Sequence, residues 1–223
     1  MSAAERVAAS DGEAAAIADA VARLRAGGLV AFPTETVWGL GADAGSEAAM
    51  AALRRWKGRG AAQPVSLLVA DLEAAAALGL ELPPAARRLA AAFWPGPLTL
   101  VVPAPPGRFA TGVARGDGAV GLRCSPHPVA AALAAALAAA GAGPLTATSL
   151  NRSGEPPART RAEAERLCAG CDAPWCLPGA AEAGGAEPSS VVDCTGARPR
   201  LLRAGAVARA DLERALEQEI ALP

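Results

Sequence analysis

Four short stretches of this chain place chemically capable residues at spacings that let them act together. In RRWKGRG (54–60), Lys57 and Arg59 stand two apart across Gly58, at the end of an expected helix. Two cations beside a glycine turn can reach one pocket and suit a polyphosphate. Cations at a helix end also complement its dipole. In AFPTETVWGLGADA (31–44), Thr34 and Thr36 offer hydroxyls that donate and accept, and Pro33 fixes the backbone after a strand. Glycines 39 and 41 allow close approach to a ligand, although a plain polar turn would read the same way. In TATSLNRSG (146–154), a strand ends at Ser149, and Asn151 and Ser153 follow in a loop. Ligands of α/β sheets sit at such carboxyl edges, while an Asx turn is the plainer use of Asn151. In PSSVVDCTGARPRLLRAGAV (188–207), Ser189 and Ser190 precede a strand, and Arg203 ends the next one.

Composition sharpens one of these. Lysine occurs once, at Lys57, against 20 arginines; Asn151 and His127 are also the sole residues of their types. A coding bias toward Ala, Arg and Gly explains the scarcity but not where the survivors stand. Lysine is a compact point charge and arginine a planar fork, so the two are not equivalent at a tight site.

Other chemistries are disfavoured. There is no GxxxxGK[ST], GxSxG or HExxH. GLGADA fits the loose G-x-G-x-x-A pattern, but PTETVW separates it from the strand end where a dinucleotide fingerprint belongs. The five cysteines are sparse and odd in number, which argues against a disulfide framework. Cys168, Cys171 and Cys176 form CxxC plus one, short of the four ligands of a structural zinc site, so no metal site is expected. A net charge of −1 is a poor footprint for holding duplex nucleic acid, leaving only a local basic cleft open. The alanine-rich PVAAALAAALAAAGAG is too short and weakly apolar to span a membrane, and the N-terminus does not read as a signal peptide. A cytoplasmic protein is expected.

The elements that must position these residues alternate. Ser10 and Glu13 make a capping-box pattern before a helix that Gly27 and Gly28 end. LVAF is a short buried strand, and Ser46 caps a helix through about Trp56. PVSLLVA reads as a strand, DLEAAAAL as a helix, and Pro83-Pro84 opens a helix into Phe93. PLTLVV and AVGLRC are strands, a long helix starts near Pro126, LTATS is a strand and RAEAERL a helix. A Gly/Pro/Ala-rich loop is expected at 171–188, then strands SSVVDC and RLLRA and a closing helix from Asp211. This order indicates an α/β (α+β) sheet packed by helices. No internal repeat or clear linker stands out.

Together the stretches resemble the YrdC-like threonylcarbamoyl-AMP synthases. That family shows PTET-V-[YW]-GLG, K-x-R, P-[LV]-[ST], WPGPLT, VR-x-P-x-HP, TSAN-x-SG-x-P, PST-[IV]-[VI]-D and RPG, in that order. This chain reads PTETVWGLG (33–41), KGR (57–59), PVS (64–66), FWPGPLT (93–99), LRCSPHP (122–128), TSLNRSGEP (148–156), PSSVVD (188–193) and LRAG (202–205). Lys57, Asn151 and His127 all fall inside motifs. Gly60, Leu150, Ser190 and Ala204 depart from the family pattern without removing a charged group or a hydroxyl.

The resemblance implies a twisted mixed parallel/antiparallel sheet, YrdC/DHBP-synthase-like, around a positively charged cavity. It implies a tail over 1–11, a catalytic domain over 12–210 and a C-terminal helix over 211–223, the short single-domain form. The implied reaction joins L-threonine, bicarbonate and ATP into threonylcarbamoyl-AMP and pyrophosphate, for modification of adenosine 37 of tRNA. By resemblance and charge logic, Lys57 and Arg59 are the catalytic cations that hold the triphosphate. Thr34, Arg123 and Thr148 take threonine or its carbamate. Ser149, Asn151, Ser189 and Arg203 complete the ATP side, with Mg²⁺ arriving on the nucleotide. His127 is read as structural. Expected partners are the substrates, the downstream threonylcarbamoyl-transfer proteins and, weakly, tRNA or double-stranded RNA. The competing readings are an RNA-binding module using the same cavity, and a carbamoyl-adenylate enzyme fed by carbamoyl phosphate.

Overall fold

The computed structural model describes residues 11–222 apart from 59, 61–62, 180–181 and 186. Ser10 of the expected capping box and Arg59 therefore lie outside the described residues.

The chain runs α1 (Asp11–Arg25), β1 (Val30–Phe32), β2 (Gly39–Gly41), α2 (Glu47–Lys57), β3 (Ser66–Leu68), α3 (Leu72–Ala77), α4 (Pro84–Phe93), β4 (Leu98–Pro103) and β5 (Ala119–Arg123). It continues with α5 (Pro128–Ala139), β6 (Leu145–Ser149), α6 (Arg161–Leu167), β7 (Trp175–Cys176), β8 (Ser190–Asp193), β9 (Arg200–Arg203) and α7 (Arg209–Leu216). The local signals act as expected where they fall in described residues. Ser46 accepts the Ala49 amide at the start of α2, and Gly58 ends that helix in the left-handed region, leaving Lys57 as its last residue. Asp71 caps α3, and prolines open α4 and α5. The closing helix begins two residues earlier than Asp211 and stops at Leu216, after which Ala221 bridges Arg200.

The strands form one mixed sheet in the order β7-β1-β2-β6-β3-β5-β4-β8-β9. β1–β7, β3–β5 and β4–β8 are parallel pairs; the other five are antiparallel. One face is covered by α2, α4 and α7 over a large apolar cluster that includes Leu98, Leu100, Leu122 and Val192. The opposite face is only partly covered. There α1 and α5 pack on Val30, Phe32, Leu68 and Leu145. The alanine-rich run is thus a buried packing helix, α5, and among the described residues no helix is long and apolar enough to cross a membrane.

Two strands differ from the sequence expectation. GLG was read as part of a ligand-shaping loop, but it is β2, hydrogen-bonded to β1 on one side and β6 on the other. Its glycines serve packing: a Cβ on Gly41 would stand 2.6 Å from Leu145 Cδ1 and 2.9 Å from Phe32 Cε1. The dinucleotide fingerprint is therefore absent, since the glycines lie inside a strand rather than at a strand-to-helix turn. The second is β7, a two-residue edge strand inside the stretch expected to be loop.

Gly41→Ala is expected to lower unfolding free energy by about 1–3 kcal/mol, because the neighbours are packed side chains that must shift. Gly39→Ala, whose Cβ would meet Phe32 at 3.1 Å, should cost less. Urea denaturation of the two variants checks the order.

Candidate active site

The uncovered half of that second face is a cavity of about 350 Å³. Backbone register builds its floor. Arg123 pairs with Thr99, Thr99 with Val191, and Val191 with Arg203, so all four stand in one row across β5, β4, β8 and β9. Residues level with one another across a sheet project from the same face. Strict alternation would put Leu201 and Arg203 on one face of β9. Instead the register slips between Val191 and Val192: Leu201 pairs with Val192 toward the core, and Arg203 pairs with Val191 toward the cavity. A bulge re-aims a side chain in this way.

Of the expected site residues, Thr34, Arg123, Thr148, Ser149, Ser189 and Arg203 line the cavity together. Thr36, whose hydroxyl the sequence offered beside that of Thr34, lines it as well, as do Ser66 and Thr99, which the sequence reading did not single out. Seven hydroxyl side chains and two guanidiniums thus face one space, and no carboxylate is among the described lining residues. An adjoining hollow of about 230 Å³ shares Pro64, Val65, Ser66, Thr99 and Arg203 with the first. Together they fall in the range of small-molecule sites.

Each arginine is held differently. Arg123 Nη2 lies 2.7 Å from Glu35 Oε1 in a mostly buried ion pair, and it also donates to Thr36 Oγ1. Ser125 Oγ donates to the other Glu35 oxygen. Thr34 Oγ1 donates to the Val37 carbonyl at 2.7 Å, so Thr36 supplies the proton in the 3.0 Å bond between the two threonines. A chain of donors therefore runs from Arg123 through Thr36 and Thr34 to a backbone carbonyl, each link polarising the next. Glu35 and Thr36 position Arg123. Arg123 Nε is buried and has no hydrogen-bond partner.

Among the described residues Arg203 has only neutral partners: Nε and Nη2 donate to the Ser189 carbonyl at 3.0 and 2.8 Å, and Nη2 to Ser189 Oγ at 3.1 Å. Ser189 Oγ in turn meets Thr99 Oγ1 at 2.9 Å. Burial, and then the charge of Arg123, push the Arg203 guanidinium below its ordinary pKa. The backbone of Gly205 comes so close to Pro188 and Ser189 that a Cβ there would stand 2.3 Å from the Pro188 carbonyl.

Lys57 and Asn151 do not line this cavity; they stand behind Ser149. Lys57 is only 1% exposed, and its Nζ donates to the Ser149 carbonyl at 2.5 Å and to Asn151 Oδ1 at 3.0 Å. Ser149 Oγ donates to the same Asn151 oxygen, and Asn151 Nδ2 to the Glu155 carbonyl. The sole lysine and the sole asparagine are thus bonded to each other at the cavity edge.

This geometry matches a known family. The family model described as "Telomere recombination" (Sua5/YciO/YrdC) matches residues 22–205. The chain belongs to the Sua5/YciO/YrdC family. It is 41% identical over 192 residues to a protein of Mycobacterium tuberculosis (strain ATCC 25618 / H37Rv) named putative threonylcarbamoyl-AMP synthase, covering 86% of this chain and 84% of that one. A Mycobacterium leprae protein of the same name is 42% identical over 212 residues, covering 92% and 90%. The crystal structure of P. abyssi Sua5 complexed with L-threonine superposes with a TM-score of 0.84 at 33% identity. It covers 98% of this chain, which spans 61% of that longer one.

Residues 182–185 of the expected loop lie against the PTET turn of this Sua5/YciO/YrdC chain. Gly184 and Gly185 donate to the Thr34 and Thr36 carbonyls at 3.0 and 3.2 Å. The His127 ring lies beside the backbone of Glu182, and its Nδ1 is buried without a partner. Burial holds this imidazole below its ordinary pKa of 6.5, against smaller upward pulls from the Glu182 backbone, Glu35 and Glu13. His127 does not line the cavity. Among the described residues no group of three or more His, Cys, Asp or Glu side chains is placed to hold a metal ion.

Because folding depresses the His127 pKa, the native state takes up its proton less readily than the unfolded chain. The stability this contributes is complete above the ordinary value of 6.5 and is lost as pH falls through it toward the lower folded value. The melting midpoint should therefore fall between about pH 7.5 and about pH 5.5, and His127→Gln should flatten that slope. Thermal melts across the pH range check it.

Proposed function

We propose that this chain makes L-threonylcarbamoyladenylate, pyrophosphate and water from L-threonine, bicarbonate and ATP, as the names of its relatives indicate. The observation that carries the reading is the cavity wall: two guanidiniums and a ring of hydroxyls, with no described carboxylate. Such a wall suits two anions that must meet.

The chemistry asks for that arrangement. The neutral amine of threonine takes up carbon dioxide or bicarbonate to give a carbamate. A carbamate oxygen then attacks the α-phosphorus, the bond to the β-phosphate oxygen breaks, and pyrophosphate leaves. An anion attacks an anion, so fixed cations and dipoles must offset the repulsion, and the reactants must be held in line. No covalent enzyme intermediate is required.

Roles follow from position. Arg123, held from behind by Glu35, takes the threonine carboxylate, since its fork can bind two oxygens at once. Thr34 and Thr148 stand beside it on the cavity wall. Arg203, with no carboxylate partner among the described residues, faces the α-phosphate together with Ser189 and Ser149. Lys57 works at the end of α2, fixing Ser149 and Asn151 on the triphosphate side, with Arg59 two residues on. Mg²⁺ arrives on the nucleotide, since no described lining residue offers it a carboxylate. The product goes to the proteins that transfer threonylcarbamoyl to tRNA in the cytoplasm.

Pyrophosphate release from ATP that depends on both threonine and bicarbonate is the direct test. RNA binding without such turnover would overturn the reading in favour of a binding module. Turnover with carbamoyl phosphate in place of threonine and bicarbonate would reassign the substrate. Arg123→Lys should raise the KM for threonine on the order of ten- to a hundredfold while moving the KM for ATP much less. Lys57→Ala and Lys57→Arg should each lower turnover by about a hundredfold or more, because a guanidinium does not fit a buried site shaped for an ammonium. Full activity in either lysine variant would refute its role.

A further inference from the structure

A second hollow, of about 510 Å³, lies between the end of α1, helix α2, the loop after β6 and the turn before β7. It has the volume of a small-molecule site and shares no lining residue with the first cavity. Its charged lining residues are Arg55, Arg152 and Asp172; Leu29, Ala52 and Trp56 give it an apolar wall. On α2, Trp56 is buried and its neighbour Arg55 is exposed. Arg152 is pinned in place. Its Nη1 donates to the Trp56 carbonyl, and its guanidinium carbon lies 4.4 Å from the centroid of the Trp56 ring. Asp172 stands at φ 58° in the turn that reverses the chain from α6 into β7, a backbone that aspartate adopts more readily than most residues.

These charges are not matched within the protein. Among the described residues, the side chains of Arg55 and Asp172 make no hydrogen bond or ion pair, and Arg152 makes none to an acid. Charges of both signs therefore face one hollow without pairing to each other. A purely anionic ligand would meet the Asp172 carboxylate, and a purely cationic one would meet two guanidiniums. A ligand that carries both charges satisfies both sides.

We propose that this hollow is a second ligand site, binding a small zwitterion of the α-amino acid class with an apolar side chain. The forks of Arg55 and Arg152 take its carboxylate, because a guanidinium can bond both oxygens at once. The Asp172 carboxylate takes its ammonium group. The side chain lies on Leu29, Ala52 and Trp56, where apolar surface leaves water. The site is distinct from the first cavity but borders its frame. Trp56 precedes Lys57, and Arg152 follows Asn151, the two residues bonded at the cavity edge. The next amide, Ser153 N, donates to the Lys57 carbonyl at 2.8 Å.

Isothermal titration calorimetry on the full-length protein tests this with three probes that share one side chain. L-Leucine carries both charges, 4-methylpentanoate lacks the ammonium, and 3-methylbutylamine lacks the carboxylate. The expected result is saturable binding of one leucine per chain, with each single-charge probe weaker by about tenfold or more. Asp172→Asn keeps a residue suited to the left-handed turn, and Arg55→Gln changes an exposed helix position. Each should weaken leucine binding by about tenfold or more, because one charge of the ligand loses its partner. Arg123→Lys, in the first cavity, should leave it unchanged. Absence of saturable leucine binding up to about 10 mM would overturn the proposal. So would 4-methylpentanoate binding as tightly as leucine, or binding that Arg123→Lys weakens and Asp172→Asn does not. The three probes on the wild type decide the charge requirement even if a variant fails to fold, and no readout depends on turnover.

Discussion

Two like charges share one cavity, and the rest of the site follows from how that is tolerated. Arg123 and Arg203 stand in the same row of the sheet, and burial and mutual repulsion already depress the Arg203 pKa. Glu35 is bonded to Arg123 and Ser125 and is not part of the cavity wall. It neutralises one cation from behind without presenting a negative surface to a ligand. Arg203 is left to carbonyl and hydroxyl oxygens, which orient it but cancel none of its charge. An anion between the two would relieve the repulsion, so the cavity is organised for negative ligands. That is preorganisation in the sense that matters for an anion–anion reaction. It is local: the whole chain carries a net charge of −1.

The row is enforced from the other side of the sheet. Leu98 and Leu100 flank Thr99, Leu122 precedes Arg123, and Val192 follows Val191; all four apolar neighbours are fully buried in the large cluster. Slipping β4 or β5 by one residue would turn leucines into the cavity and a threonine or an arginine into the core. Hydrophobic burial thus sets the register, and the register sets the polar row. β9 alone needs a correction, because Leu201 and Arg203 have the same parity. The bulge supplies it, and Gly205 lets the following turn close onto Pro188 and Ser189, where the Arg203 fork donates to the Ser189 carbonyl.

This division explains what could be read without coordinates. Helices with caps or initiating prolines were legible, since Ser46, Asp71, Pro84 and Pro128 act through neighbours a few residues away. The ordered motifs pointed to the family, and six of the expected site residues line one cavity. The missed features depend on partners far along the chain. β2 is built of residues with low strand propensity, tolerated because its glycines make room for Phe32 and Leu145. The bulge in β9 is a matter of register with β8, and Arg123 meets Glu35 from 88 residues along the chain. In each case the deciding neighbour is set by tertiary packing, which no local pattern encodes.

The same logic sorts the positions at which this chain departs from its family's motifs. In SLN, Ser149 faces the cavity and Asn151 is held by Lys57, while the replaced residue between them, Leu150, is fully buried in the apolar cluster. In PSS, Ser189 lines the cavity, while the replaced residue, Ser190, turns inward to exchange hydrogen bonds with the backbone of Val207 at 2.7 and 3.1 Å. Ala204 lies between Arg203 and Gly205, both of which are kept. Leu150 and Ser190 thus fall where the chain packs on itself, Gly60 and Ala204 are exposed, and the retained Ser149 and Ser189 face the cavity. A larger side chain at Leu150 or a smaller hydroxyl at Ser190 changes how the frame is filled. The charges and hydroxyls that two anions would meet stay where they are.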